Sequence, residues 1–352
     1  IITSDALAGA FQPLADYRTS QGLPAVVKTL DWIEANYRHG VDIQETVRMF
    51  IRDAYERWGV EYVLLGGDTD VVPARYALSN FYPPGGTTLI PADLYFACLD
   101  GNWNLDGDAD FGEPNVNESN PGDDCDMASD ISFGRAPVSS VADVNTFVAK
   151  VLNYENAAAG AGYPNRFLTA AEVLFTNSEG DITLDGATYA EALVNEVVAP
   201  CTDMTTVRMY EAWNRLDAFG QPMYPGAVRE TRIAALDSLN TGHFSIFNQI
   251  GHGFFFNMDM GDANITITDA DNLHNGVNRT FLMYALNCAS AAFDYGCLME
   301  RFVQNPNGGS FASIGATRAA FPATANDFQK AFFDAMMCDA MPRLGDLMAA
   351  SR

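Results

Sequence analysis

At 352 residues, with 48% apolar and 12% aromatic content, the chain is long enough to build more than one hydrophobic core, and two subdomains are expected. Its formal net charge of −25 and pI near 4.2 disfavour nucleic acid and anionic membrane surfaces as partners; they suit a secreted protein, a calcium binder or a halotolerant source. No apolar run approaches the roughly 18 to 20 residues that cross a bilayer as a helix.

The first half reads as strands alternating with helices. Residues 1–3 form a short apolar strand, and Ser4 and Asp5 offer caps for a helix over 6–17. A second strand covers 25–30. Asp42 caps a helix over 43–58, where apolar residues at 43, 47, 50, 51, 54, 55 and 58 follow the helical period. A strand at 62–65 runs into Gly66-Gly67-Asp68; neither GxGxxG nor GK[ST] follows, so a nucleotide loop is rejected. Strand, helix, strand, helix, strand implies a right-handed parallel α/β unit.

From Asn80 to Asp130 the texture changes to Gly, Pro, Asn and Asp. That is too long for an ordinary connection and predicts a functional loop. A strand is expected at 94–99. Behind it Asn102, Asn104, Asp106, Asp108 and Asp110 place oxygen side chains at alternate positions, with Gly107 sixth and Glu113 twelfth, the spacing of a calcium loop. Asn102 replaces the usual first aspartate, which lowers ligand charge. A strand follows at 130–137, then a helix over 141–154 capped by Ser140. Residues 157–165 have linker composition, so the subdomains are expected at 1–156 and 165–352.

The second half restarts with a strand at 167–175, a helix near 189–198, a strand near 205–210 and a helix near 229–239. Three short apolar runs then end abruptly in polar residues or glycine, at 244–253, 280–288 and 309–317, as buried parallel strands do. A helix at 326–337 closes the series. The first of these three runs delivers His252 between Gly251 and Gly253, and the second delivers Cys288. Ligands collect at the carboxyl ends of parallel strands, so neighbouring strands would bring thiol and imidazole to one rim. A Cys–His pair is the minimum equipment for nucleophilic acyl transfer. The amides of Gly253 and Cys288 are the candidate oxyanion donors. Glu172, a lone carboxylate in an apolar strand, needs a partner if buried and is the candidate for orienting the imidazole; the alternative is a strand end facing water.

Gly251-His252-Gly253, Asn287-Cys288 and the run 293–302 resemble the gingipain-type cysteine peptidases of the caspase-like clan, and the run 64–75 resembles their first subdomain. The resemblance implies two caspase-like, Rossmann-like three-layer α/β/α subdomains with mainly parallel sheets. It implies a secreted cysteine endopeptidase acting on protein or peptide substrates, with the histidine before the cysteine. It also implies an acidic residue at Glu172 that contacts the histidine, structural Ca2+ in the catalytic domain, and cleavage after Arg or Lys. A basic P1 side chain requires acidic partners, for which Asp181 and Asp185 are best placed; Arg318 would instead favour an acidic P1.

The same fold without the reaction would give a calcium-stabilised binding or adhesion module, and an acyltransferase or transpeptidase would use the same pair. Six cysteines are too few for a disulfide scaffold; Cys98 and Cys125 could pair in an extracellular protein, whereas Cys201, Cys297 and Cys338 have no evident partners. There is no initiating Met and no signal peptide at Ile1, so the chain is expected to start inside a longer precursor. The chain ends at Arg352, where self-processing would leave the remainder as a second chain.

Overall fold

The computed structural model describes residues 1–37, 40–80, 88–115, 122–125, 127–157 and 163–351. The processing point expected at Arg352, and the centre of the 157–165 linker, lie outside them. The chain forms two compact units, Ile1–Val148 with Arg343–Ala350, and Ala149–Pro342. The chain passes from one to the other within a helix, at 148/149, rather than in the expected linker. Residues 343–350 return to the first unit, where Asp346 accepts from Ser132 Oγ (2.5 Å) and Tyr62 Oη (3.1 Å).

The first unit runs β1 (Ile2–Thr3), α1 (Asp5–Ser20), β2 (Lys28–Thr29), α2 (Leu30–Asn36), α3 (Ile43–Trp58), β3 (Tyr62–Gly66), β4 (Tyr76–Ser79), β5 (Thr88–Pro91), β6 (Ser132–Ala136) and the start of α4 (Val141–Glu155). Its parallel sheet has the order β2-β1-β3-β6, and β4 and β5 pair antiparallel. α3 matches the sequence expectation: Asp42 accepts from Glu45 N at 2.8 Å, Gly59 ends the helix at φ 67°, and Val47, Phe50, Ile51 and Ala54 are buried. Two expectations fail here. The strand at 25–30 shrinks to Lys28–Thr29 because the Thr29 hydroxyl caps α2 through Trp32 N. The strand at 94–99 is instead a 3₁₀ turn, Asp93–Phe96. Asp93 there is paired with Arg135 (2.6 and 2.7 Å), the N–H groups of Ala97 and Cys98 turn back to Leu94 O, the Cys98 carbonyl is taken by Arg48 and the Leu99 N–H by Asp130, which commits these groups to local and side-chain partners rather than to a ladder.

The second unit continues with β7 (Arg166–Ala171), β8 (Val173–Thr176), β9 (Ile182–Asp185), α5 (Gly186–Leu193), a π-helical turn (Val194–Val198), α6 (Ala199–Cys201), β10 (Thr205–Tyr210), β11 (Val228–Arg229), α7 (Arg232–Asn240), β12 (Ile246–Ile250), β13 (Gly253–Phe254), β14 (Asn257–Asp259), β15 (Asn264–Thr266), α8 (Ile267–Asn272), β16 (Phe281–Leu286), α9 (Leu298–Gln304), β17 (Ser310–Ile314) and α10 (Pro322–Met337). Its main sheet is wholly parallel, in the order β11-β10-β7-β12-β16-β17. Alternation along each strand splits the core into two layers. Leu168, Ala170, Phe247, Phe281, Met283 and Ala285 pack with Ala235, Leu239, Ala270, Leu298 and Phe302 of α7, α8 and α9. On the other face Ala171, Ile250 and Leu286 meet Ala187 and Ala190 of α5, while Phe167 and Tyr284 contact Phe333 of α10. This is a three-layer α/β arrangement, as expected.

Two local features depart from the sequence reading. The strand at 167–175 is broken at Glu172, with β8 leaving the sheet to pair antiparallel with β9. Cys201 and Cys338, for which no partner was evident, form a disulfide across 137 residues, whereas Cys98 and Cys125 are not joined to each other by one.

Candidate active site

The strand order reverses between β7 and β12: β10 and β11 lie to one side of β7, and β12, β16 and β17 to the other. The carboxyl ends flanking such a switch point form a crevice. Glu172 follows β7, His252 lies two residues beyond β12, and Cys288 lies two residues beyond β16. β12 and β16 pair in register, Ile250 with Leu286, and Gly251 N–H donates to Leu286 O at 3.1 Å. Equal overhang from paired strands therefore brings imidazole and thiol to the same rim.

His252 is exposed, and its Nε2 lies 2.9 Å from Leu174 O. A carbonyl only accepts, so Nε2 carries the proton and Nδ1 keeps its lone pair as the base. The Phe175 ring packs edge-on against the imidazole at 5.8 Å. Glu172 meets the histidine elsewhere than expected: its carboxylate accepts from the backbone N–H of His252 (2.7 Å) and of Gly261 (3.2 Å). Burial pushes the Glu172 carboxyl up to about 7, against the pull of those two N–H donors. Glu172 thus fixes the loop that carries His252, and the Leu174 carbonyl is the group on the ring.

The two glycines are required by space rather than by backbone angle. A Cβ on Gly251 would stand 2.4 Å from Glu172 Oε2 and 2.5 Å from Gln249 Nε2; one on Gly253 would stand 2.7 Å from Asn287 Cγ. Asn287 cannot yield easily. It is buried, donating to Gln249 Oε1 at 2.8 Å and accepting from Ser290 Oγ at 2.5 Å. Gly253 pairs with Met258 across a hairpin in which Asp259 N–H donates to His252 O. In an antiparallel ladder hydrogen-bonded and non-bonded pairs alternate, so the Gly253 N–H points away from its partner strand, as an oxyanion donor must. The Cys288 thiol is half-buried, with Ala320 N–H donating to Sγ at 3.4 Å. Ala289, immediately after it, sits at φ 55° with its N–H on Arg318 O at 2.9 Å, a strained turn of the kind found at functional sites.

The residues expected to read P1 fare differently. Asp185 is buried: one oxygen caps Ala187 N–H, and the other binds Arg215 (3.0 Å) and Tyr224 Oη (2.8 Å). That carboxylate is committed to holding α5. Asp181 is exposed in the β8–β9 turn, where it accepts from Asn177 Nδ2 at 3.0 Å. Arg318 is held by both oxygens of Asp294 (2.9 and 2.6 Å) beside the Tyr295 ring.

In the first unit, the oxygens of Asp106, Asp108 and Glu113 lie within 4.8 Å of one another, compatible with a single Ca2+ bound at about 2.4 Å from each. Partial desolvation and then the charges of Asp108 and Asp106 push the Glu113 carboxyl up, the repulsion a cation would relieve. Asn102 and Asn104 accept from Asn104 N–H and Gly107 N–H, and Asp110 N–H donates to Asp108. The loop's ladder contact is the Asn102–Asp124 bridge, and no flanking helix pair frames it among the described residues.

Sequence reasoning missed Leu174, whose contribution is a main-chain carbonyl and carries no side-chain signal. It also missed Gln249, buried in the middle of an apolar run, where a polar residue could have been the clue.

The model of peptidase family C25 matches residues 1–352. No curated protein matches the chain. Among solved structures, the Arg-specific cysteine proteinase gingipain R (RgpB) is similar with a TM-score of 0.72 and 19% identity, covering 100% of this chain and 70% of its own. The complex of the pro- and mature domains of RgpB from Porphyromonas gingivalis gives 0.71 and 19%, covering 99% and 72%. A further protease structure gives 0.68 and 18%, covering 99% and 70%. At these identities the likeness is one of fold. With the family model matched from end to end, and a histidine and a cysteine on one rim of that fold, the chain belongs to peptidase family C25 and is a cysteine peptidase.

Proposed function

We propose that the chain is a secreted endopeptidase that cuts polypeptides after a basic residue, Arg or Lys. The observation that carries the chemistry is the matched overhang of His252 and Cys288 from paired strands. His252 Nδ1 takes the Cys288 proton, and the thiolate attacks the scissile carbonyl. The tetrahedral oxyanion is held by the amides of Gly253 and Cys288. The imidazolium then protonates the departing amine, leaving a thioester; water, deprotonated by His252, hydrolyses it and restores the thiol.

A basic P1 is supported by two features. Arg318 is neutralised by Asp294 and so offers no free cation to an acidic side chain. Asp181 is exposed on the hairpin that follows Glu172, while Asp185 is withdrawn from the list of readers because it is buried in its own ion pair. Secretion is supported by the Cys201–Cys338 disulfide, a bond that persists in oxidising compartments. Residues Asp106, Asp108 and Glu113 would hold a structural Ca2+ that stiffens the acidic loop and takes no part in bond cleavage.

The test is a set of internally quenched peptides differing only at P1, with Arg, Lys, Asp and Asn, and the Cys288→Ala variant as the blank. Arg or Lys should exceed Asp by at least about 100-fold in kcat/KM, the scale of a charge-matched pocket. A preference for Asp would overturn the specificity, and cleavage by Cys288→Ala would overturn the mechanism.

A further inference from the structure

Three consecutive phenylalanines, Phe254, Phe255 and Phe256, follow the glycine whose N–H faces the reacting carbonyl. A Cβ on Gly253 would face Asn287. Side chains alternate along a strand, so Phe254 projects from β13 to the opposite side, away from Asn287 and the rim of the sheet. Phe254 is 49% exposed and Phe256 43%. Their rings meet edge-on with centroids 5.4 Å apart, and Phe254 lies 4.7 Å from Phe255. Phe255 is half-buried, packed on the core beneath α7, α8 and α9. It stacks at 5.1 Å on Tyr295, which is 51% exposed in the loop after Cys288. One aromatic ridge thus reaches from the histidine hairpin to the cysteine loop.

Core packing explains Phe255 but not its two neighbours. Apolar side chains exposed singly are ordinary, whereas a contiguous exposed patch marks a contact surface. This patch is also held in place. Phe255 O accepts from Leu298 N–H at 2.7 Å, Phe256 O from Ile267 N–H at 3.1 Å, and His252 O from Asp259 N–H at 3.0 Å. A surface fixed before binding loses little freedom when it is covered. β13 lies at the edge of its sheet, β13-β14-β15, which leaves its outer side open to a polypeptide.

The chemistry of the site says which part of a substrate lies there. The departing amine takes its proton from His252 and must come within about 3 Å of the imidazole. The residue that carries this amine, the first after the scissile bond (P1′), therefore sits over the histidine loop. Of the two hairpins beside His252, β8–β9 carries Asp181, the reader of P1, and β13–β14 carries the ridge. The ridge is left to the departing side. We infer that Phe254 and Phe256 form a subsite for an apolar P1′ side chain, so that the enzyme selects residues on both sides of the bond it cuts. The inference rests on the endopeptidase reading above and is independent of which residue occupies P1. Aromatic rings meet offset or edge-on with centroids about 4.5 to 7 Å apart, so a P1′ phenylalanine would extend the ridge by one more ring.

The experiment uses internally quenched peptides with P1 fixed at the residue ranked first in the P1 survey. P1′ is set to Phe, Leu, Ser or Asp, and a second series varies the residue before P1 (P2) in the same way. Phe at P1′ should exceed Ser by about 10-fold or more in kcat/KM, the scale on which an apolar subsite discriminates. Phe254→Ala and Phe256→Ala should each lower that ratio, and the double variant should bring it to within about 2-fold of unity. Should the double variant fail to fold, the single variants carry the test. A wild-type ratio near unity, or a preference that survives the substitutions, overturns the subsite. Selection at P2 instead would put the ridge on the acyl side and overturn it equally. Self-association that is lost in Phe254→Ala with the P1′ ratio unchanged would assign the ridge to a second copy of the chain. Failure to cut any peptide would remove the endopeptidase reading itself, a result distinct from cutting without selection.

Discussion

His252 and Cys288 each lie two residues beyond one of a pair of parallel strands in register, and their neighbours fix them there. What the sequence could not show is how they are held. The acceptor on the imidazole is the main-chain oxygen of Leu174, and the glycines are there because Glu172, Gln249 and Asn287 press against their Cα atoms. Gly253→Ala should therefore lower the melting midpoint, because the added methyl presses on the buried Asn287, and should also lower kcat by at least about 10-fold, since moving one oxyanion donor costs on that scale or more. Wild-type kcat in that variant would mean that the Gly253 N–H is not used. Cys288→Ala and His252→Ala should each abolish hydrolysis, the two losses being non-additive in the double variant. Iodoacetamide should modify Cys288 first. Burial pushes Cys125 up to about 12 and pushes Cys297 up as well, so both stay as unreactive thiols. Equal labelling of Cys125 would remove the activated thiolate from the mechanism.

α3, with a clear period and an Asp42 cap, was read to the residue, and α1 and α4 to within one to three residues at their ends, but elements whose ends depend on distant partners were not. β7 stops at Glu172 because the N–H of that residue goes to Ile250 O and its carbonyl to Gly186 N–H, contacts 78 and 14 residues away. The disulfide between α6 and the end of α10 was equally invisible. Replacing both Cys201 and Cys338 by Ser should cost about 2 to 5 kcal/mol in denaturant unfolding, the usual range for loss of a native disulfide; no change in midpoint would show that the bond does not form. Lys150 of α4 is wholly buried, its Nζ donating to the carbonyls of Phe302, Val303 and Ser310 at the end of α9 and start of β17. Lys150→Met leaves those three acceptors bare and should cost about 3 kcal/mol at pH 9. Burial pushes the lysine down to about 7, below the ordinary 10.5. Between those values the unfolded chain binds the proton that the folded chain releases, so wild-type stability relative to Lys150→Met should rise from pH 7 towards pH 10. A flat difference would show that the three carbonyls keep the ammonium charged.

On the scale of the whole chain, the net charge of −25 is a free-energy problem that composition announces and only coordinates locate. Part of it is solved by arginine, as at Asp93–Arg135 and Asp294–Arg318. The loop carboxylates Asp106, Asp108 and Glu113 have one another as neighbours at single-ion spacing. If Ca2+ offsets them, its contribution is RT ln(1 + [L]/Kd), about 2.7 kcal/mol when the ion is 100-fold above Kd. For a unit of this size that corresponds to about 5 to 10 °C in melting midpoint. Excess chelator should therefore lower the midpoint by that amount, and the Asp106→Asn, Asp108→Asn variant should lose most of the difference between chelator and millimolar calcium. Salt separates coordination from general screening. At 0.5 M NaCl the Debye length falls to about 4 Å, which weakens repulsion among exposed carboxylates but supplies no ligand bonds. Sodium chloride should thus recover only a minor part of the chelator loss. Full recovery by salt would mean that the loop needs ionic strength rather than an ion, and identical melting curves in chelator and calcium would mean that it needs neither.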